Sequence, residues 1–187
     1  MTAELTERAG KIRMVLMDVD GVLTDGKFYF LPGPKGEMIE VKAFDSQDGI
    51  ALQWLHAQGI AAGLISGRVS VSTTVRAEQA HFRYVYQGHP EKIPILQEIV
   101  SDSGLNATQI AYIGDDLTDI VVMNRVGLAI ATANAAPEVK RAVHYVTTAR
   151  GGHGAVREAV ELILKAQGLW GEILRKYEVP SACADRG

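Results

Sequence analysis

At 187 residues with 47% hydrophobic content, the chain has the apolar side chains for one compact domain with a sizeable core. Its 19 basic and 22 acidic residues leave a formal net charge of -3, which argues against a general nucleic-acid binder. No apolar run is long enough to cross a membrane, the first residues carry no hydrophobic leader core, and the lone Cys183 offers no disulfide framework, so a cytoplasmic location is expected.

The first element is a buried strand over Ile12–Met17, rich in apolar residues. It runs into Asp18-Val19-Asp20-Gly21-Val22-Leu23-Thr24-Asp25, and Gly21 breaks the strand straight after two acids. Carboxylates at the C-terminal end of a buried strand lie where open α/β sheets place their chemistry. Burying two unpaired anions so close together is costly, and a divalent cation would relieve that cost. Taken alone, the pattern is equally that of an acidic turn.

Next come two short strands, Lys27–Phe30 and Glu37–Val41, around Leu31-Pro32-Gly33-Pro34-Lys35-Gly36. They read as a β-hairpin over 27–41 that projects from the loop after the first strand. A lone hairpin is marginal in water. Its aromatic and aliphatic residues need cover, either from its own domain or from the hairpins of sister subunits.

A helix over Gly49–Gln58 leads to a strand at Ile60–Ile65 that ends in Ser66-Gly67-Arg68. Helix Val69–Ala80, strand Phe82–Tyr86 and helix Ile93–Asp102 follow, with Lys92 just before the last of these. Strand Ile110–Ile113 ends in Gly114-Asp115-Asp116-Leu117-Thr118-Asp119, which opens a helix over Leu117–Asn124. Short strands at Leu128–Ile130 and His144–Val146 and helices at Pro137–Arg141 and Ala155–Gln167 complete the chain, with Gly59, Gly104 and Gly127 as helix C-caps. This alternation predicts an α/β fold, a Rossmann-like doubly wound parallel sheet with helices on both faces. One domain is expected over 1–177 and a disordered tail over 178–187. If the strands are parallel neighbours, their C-terminal loops bring a hydroxyl, a lysine and three groups of acids to one edge.

The D-x-D-G-x-x-T-D opening, the Ser after an apolar strand, the isolated Lys and the G-D-D-x-x-D block occur here in the order of the haloacid dehalogenase superfamily. The chain resembles that family of aspartate-dependent phosphatases over roughly residues 12–160. The chemistry then follows from the residues. Asp18 is the candidate nucleophile, splitting a slow phosphate-ester hydrolysis into two steps through an aspartyl-phosphate. Asp20 is the candidate acid and base for leaving group and water. Asp115, Asp18 and the backbone carbonyl of Asp20 offer the oxygen site Mg²⁺ prefers. Ser66 and Lys92 would hold the phosphoryl oxygens. The resemblance further implies that Asp119 orients the lysine and Asp116 supports the metal shell. Each has a plainer reading: Ser66-Gly67 as a turn and helix N-cap, Lys92 as a solvated charge, and the later acids as helix caps.

Only 45 residues separate Asp20 from Ser66, and 25 separate Ser66 from Lys92, so neither gap holds a cap domain. The resemblance is therefore to the capless, oligomeric branch of the superfamily. It is carried by Asp18–Gly26, the hairpin ending in Phe44, Asp48-Gly49-Ile50, Ile65–Arg68 and the stretch from Gly151 to Glu158. That branch implies a homotetramer whose sites are completed by a neighbouring chain. Its implied substrate is a phosphorylated sugar acid, either an octulosonate or a nine-carbon sialic-type acid, with a place in lipopolysaccharide precursor synthesis. Arg68 suits the sugar carboxylate, because a guanidinium holds a carboxylate bidentately. Asp48, Gly67 and Arg157 are further candidates for substrate contact, and Gly151–Gly154 for close backbone approach to a ligand. A phosphoryl-transfer mutase and a non-catalytic structural or regulatory homologue are the other classes the sequence admits.

Overall fold

A computed structural model describes residues 1–180 of the chain. The elements, in order, are α1 (Ala3–Gly10), β1 (Met14–Met17), β2 (Tyr29–Pro32), β3 (Met38–Val41), α2 (Ser46–Ala57), β4 (Ala61–Ser66), α3 (Val71–Gln79) and β5 (Tyr84–Gln87). Then follow α4 (Lys92–Ser103), β6 (Ile110–Gly114), α5 (Leu117–Met123), β7 (Leu128–Ala131), α6 (Pro137–Arg141), β8 (Tyr145–Val146), α7 (Ala155–Ala166) and α8 (Trp170–Lys176). Six strands form one sheet in the order β5-β4-β1-β6-β7-β8. Every adjacent pair in it is parallel.

Alternation along the strands sorts the core into two layers. Val15 and Met17 of β1 face one way, with Leu64, Ile113 and Ile130, and pack under α1, α2 and α7. Met14 and Leu16 face the other way, with Ile65, Tyr112 and Ala131, and pack under α4, α5 and α6. Strands covered on both faces have to be apolar throughout, and all four residues of β1 are buried. The chain builds β4 and β5 on one side of β1 and then crosses to β6 on the other. That reversal puts the switch point, and so the cleft, at the C-terminal ends of β1 and its neighbours.

The hairpin is a separate two-stranded sheet, pairing Tyr29 with Val41 and Pro32 with Met38. Phe30, Leu31, Met38 and Ile39 near its tip are exposed in the isolated chain. Among the described residues no cap domain interrupts the fold.

The structure corrects three sequence expectations here. Two helices went unread, α1 and α8. In α1 the Thr2 side chain caps Leu5 N–H at 3.2 Å, Glu4 pairs with Arg8, and only Leu5 and Ala9 are buried. So narrow an apolar stripe reads as a polar segment. Gly127 is not a helix cap, because α5 ends at Met123 and Asn124 is its C-cap. Gly127 instead packs directly on the Thr108 backbone, where a Cβ would collide. Gly59 and Gly104 do sit just past helices with positive φ, at 71° and 67°. Residues 181–187 of the expected tail, with Cys183, lie outside the described residues.

Candidate active site

Loops after β1, β4 and β6, together with the start of α4, enclose a cleft of about 360 Å³ lined by Asp18, Asp20, Ser66, Gly67, Arg68, Lys92, Asp115 and Asp116. That volume is in the range of small-molecule sites. Four chain segments, distant in sequence, thus deliver their candidate residues to one place.

Lys92 is the most constrained of these. It opens α4 yet is almost fully buried, at 3% exposure. Its Nζ lies 2.7 Å from Asp119 Oδ1 and 3.2 Å from Asp18 Oδ1, and 3.0 Å from the Tyr112 hydroxyl. Burial works against the ammonium, but the two carboxylates outweigh it and hold its pKa above the usual lysine value. The reading of Lys92 as a solvated charge is excluded.

Asp119 is fully buried and accepts at both oxygens. Oδ1 takes Lys92 and, at 2.7 Å, the Tyr112 hydroxyl; Oδ2 takes the backbone N–H groups of Asp115 at 2.9 Å and Asp116 at 3.2 Å. A carboxylate has about four acceptor positions, and all are used. Asp18, Asp115 and Asp119 each bring an oxygen within 4.8 Å of the others, a spacing suited to a metal ion. With Asp119 committed to hydrogen bonds, Asp18 and Asp115 are the two with capacity left. Burial pushes the Asp18 carboxyl up to about 6, against the pull of Lys92. Burial, followed by the charges of Asp119 and Asp18, pushes Asp115 up to about 7. Two carboxylates that resist ionisation because they are buried, with the Asp119 charge beside both, fit a hard divalent cation such as Mg²⁺.

Gly21 shapes this acid pair. With φ at 84° it turns the chain beneath Asp115, and a Cβ there would collide with the Asp115 carboxylate. The loop is held from behind by residues the sequence reading passed over. Asn134 donates from Nδ2 to the Gly21 carbonyl at 2.9 Å and accepts Gly151 N–H at 2.6 Å. Thr24, buried, accepts Gly26 N–H at 3.2 Å. The glycine run therefore does approach backbone closely, but the backbone is its own: a Cβ on Gly151 would strike the Gly21 carbonyl. It braces the loop bearing Asp18 and Asp20 and does not face the cleft.

Ser66 ends β4 almost fully buried, with its Oγ accepting Arg68 N–H at 3.2 Å. It is not a helix cap, since Ser70 occupies that position before α3. Asp116 lines the cleft and caps Leu117 N–H of α5 at 2.7 Å.

Asp48 and Arg157 lie elsewhere. Asp48 is fully buried between α2 and α7, where its Oδ1 accepts Arg157 N–H at 2.8 Å in the first turn of α7. That helix starts on Gly154, which has no side chain to cap it, so Asp48 is a cap supplied from another helix. The Arg157 guanidinium lies 2.9 Å from Glu161 and over the Trp54 ring at 5.0 Å. Neither residue lines the cleft.

Beside the cleft, paired with two of its lining residues, stand a lysine and an acid that the sequence reading missed. Lys42, just after β3, is buried and ion-paired with Asp20; Glu40 of β3 is ion-paired with Arg68. The i, i+2 spacing on a strand puts both on one face. The signal was present in Glu40-Val41-Lys42, but short charged alternation in a hairpin is ordinary.

A haloacid dehalogenase-like hydrolase family model matches residues 65–158. A 3-deoxy-D-manno-octulosonate 8-phosphate phosphatase of Yersinia pestis is 41% identical over 164 residues, which are 88% of this chain and 86% of that protein. The structure of the phosphatase of that name from the same organism superposes with a TM-score of 0.86 at 39% identity, covering 91% of this chain and 90% of that one. A Moraxella catarrhalis phosphatase of the same name, in complex with magnesium, phosphate and a KDO molecule, gives 0.89 at 36% identity, covering 95% and 99%.

Proposed function

The chain belongs to the haloacid dehalogenase-like hydrolases, and from that premise we propose that it hydrolyses 3-deoxy-D-manno-octulosonate 8-phosphate to the free sugar acid and phosphate. It is a phosphoric monoester hydrolase; the substrate and the residue roles are our reading. The substrate rests on the names of the similar phosphatases, and the chemistry rests on one observation: Asp18 and Asp20 share a cleft with a buried lysine 3.2 Å from Asp18.

The reaction runs in two displacements. The Asp18 carboxylate attacks phosphorus, a bond forms from its oxygen, and the bond from phosphorus to the sugar oxygen breaks. Asp20 gives its proton to the departing sugar oxygen. Water then attacks the aspartyl-phosphate and passes a proton to Asp20, which releases phosphate and restores Asp18. Lys92, fixed by Asp119 and Tyr112, offers its ammonium to the phosphoryl oxygens, and Ser66 offers its hydroxyl. Mg²⁺ held by Asp18, Asp115 and the Asp20 carbonyl would neutralise phosphate charge and allow two anions to meet. Arg68, half-exposed in the cleft lining, would read a carboxylate on the sugar.

The exposed hairpin side chains support a homotetramer in which neighbouring hairpins cover Phe30, Leu31, Met38 and Ile39, with each site finished by an adjacent chain. The product would feed lipopolysaccharide precursor synthesis in the cytoplasm. The test is phosphate release with Mg²⁺ from a panel of sugar-acid phosphates. A clear preference for 3-deoxy-D-manno-octulosonate 8-phosphate is expected. Preference for a nine-carbon sialic-type 9-phosphate would replace the substrate, and no hydrolysis of any phosphate ester, aryl phosphates included, would remove the activity.

A further inference from the structure

Four charged side chains from three separate segments close into a ring beside the cleft. Lys42 pairs with Asp20 Oδ1 and lies 3.5 Å from Glu40 Oε1. Glu40 Oε2 pairs with Arg68 Nη2, and Arg68 Nε lies 3.8 Å from Asp20 Oδ2. Charges alternate around the ring, so its net charge is zero whenever Asp20 has given up its proton. Phe28, at the foot of the hairpin, lies over both cations, with its ring centroid 4.1 Å from the Arg68 guanidinium and 5.3 Å from Lys42 Nζ. Asp20 comes from the loop after β1 and Arg68 from the loop after β4; the hairpin supplies the remaining three residues.

The ring determines what Arg68 has left to offer. A guanidinium carries five N–H donors in a planar fork. Its Nε and Nη2 edge faces Asp20 and Glu40, while Nη1 has no hydrogen-bond partner among the described residues. Arg68 is half-exposed, so without a partner its long side chain would sample many rotamers. Held along one edge and stacked on Phe28, it keeps the Nη1 corner for a ligand, with one further Nη2 hydrogen beside it.

We infer that Glu40 is the specificity-determining residue that positions Arg68 for a carboxylate on the substrate. The inference rests on the sugar-acid reading above and adds that the hairpin's inner strand sets the enzyme's preference for carboxylated sugars. Glu40 does not touch the reacting atoms; it acts through the arginine. Its contribution lies in ordering Arg68 before the substrate arrives, a cost otherwise met on binding.

The experiment compares 3-deoxy-D-manno-octulosonate 8-phosphate with p-nitrophenyl phosphate, which has no carboxylate, in the full-length enzyme with Mg²⁺. Immobilising one long side chain corresponds to about a 3- to 10-fold change in affinity. Glu40→Ala is therefore expected to raise KM for the sugar acid by about that factor, with kcat nearly kept. Its loss of kcat/KM on p-nitrophenyl phosphate should be clearly smaller. Glu40→Gln, which keeps the shape and an acceptor, should show the same selectivity with a smaller loss. In an Arg68→Ala background, Glu40→Ala should cost the sugar acid nothing more, an outcome a merely structural residue would not give. A fall in KM in Glu40→Ala would overturn the inference, because Glu40 would then compete with the substrate for Arg68. Equal losses on both substrates would overturn it as well. If Arg68→Ala is itself unselective, the sugar-acid reading of the cleft fails; if Arg68→Ala is selective and Glu40→Ala is not, only the role of Glu40 fails.

Discussion

Asp119→Asn changes one atom in the most densely bonded side chain of the cleft, and its cost can be worked from the contacts. The carboxylate accepts from Lys92, Tyr112 and the N–H groups of Asp115 and Asp116, all within 3.2 Å. An amide has one accepting oxygen and one donating nitrogen. If the oxygen keeps Lys92 and Tyr112, the NH₂ group faces two backbone donors. If the amide flips, it faces an ammonium. Two donors lose their acceptor in the first case, at about 1–3 kcal/mol each. Removing one partner of a buried ion pair costs about 3–5 kcal/mol, and Asp18 at 3.2 Å still half-neutralises Lys92. The terms overlap, so we expect a total loss of about 3–5 kcal/mol. With a urea m-value of about 2 kcal/mol/M, the midpoint should fall by about 1.5–2.5 M. Urea unfolding followed by circular dichroism, with EDTA present so that metal binding does not contribute, measures this. Asp116→Asn is the control, since Asn also caps a helix and little change is expected. A loss below about 1 kcal/mol for Asp119→Asn would refute the claim that its four bonds hold the lysine.

Asp18→Asn should abolish turnover while the fold survives, because the amide cannot attack phosphorus; robust phosphate release by the purified variant would sink the covalent route. Activity should vanish in excess EDTA and return with added Mg²⁺, and turnover that ignores the chelator would remove the metal from the site. Leu31→Asp together with Met38→Asp places charge on the exposed tip of the hairpin and should lower the assembly state in light scattering; an unchanged tetramer would exclude the hairpin from the interface. Burial raises Asp48 from 3.8 to about 6. The folded state therefore holds its proton more tightly than the unfolded chain, and the stability this group lends at low pH is lost as pH rises from about 4 to about 6. Asp48→Asn cannot titrate, so its stability relative to the parent should improve by about 2–4 kcal/mol between pH 4 and 7, and a flat difference would refute the buried carboxyl.

The parallel sheet was legible because its strands are buried on both faces and so are apolar at consecutive positions, as in β1 and β6. The helices that escaped notice, α1 and α8, bury only Leu5 and Ala9 in one and Ile173 in the other. A helix that lends so few apolar side chains to the core reads as a polar segment. The acids and the lysine of the cleft were legible for a related reason. Each comes from the segment that follows a strand of the parallel sheet, and strand order fixes which segments meet.

Lys42, Glu40, Asn134 and Tyr112 were not legible, because their partners lie across the fold. Asn134 meets Gly21 across 113 positions, and Lys92 meets Tyr112 across 20. The same physics explains why Asp48 was misplaced. A Asp48-Gly49 pair at the start of an apolar helix has the composition of a ligand loop, and only the tertiary approach of α7, which has no capping side chain of its own, shows that the carboxylate serves a helix N-terminus. Motif spacing reports which groups reach the sheet edge. It does not report which charges are already spent on one another, and in this cleft that difference separates Asp119, whose oxygens are fully engaged, from Asp18 and Asp115, which have capacity for a cation.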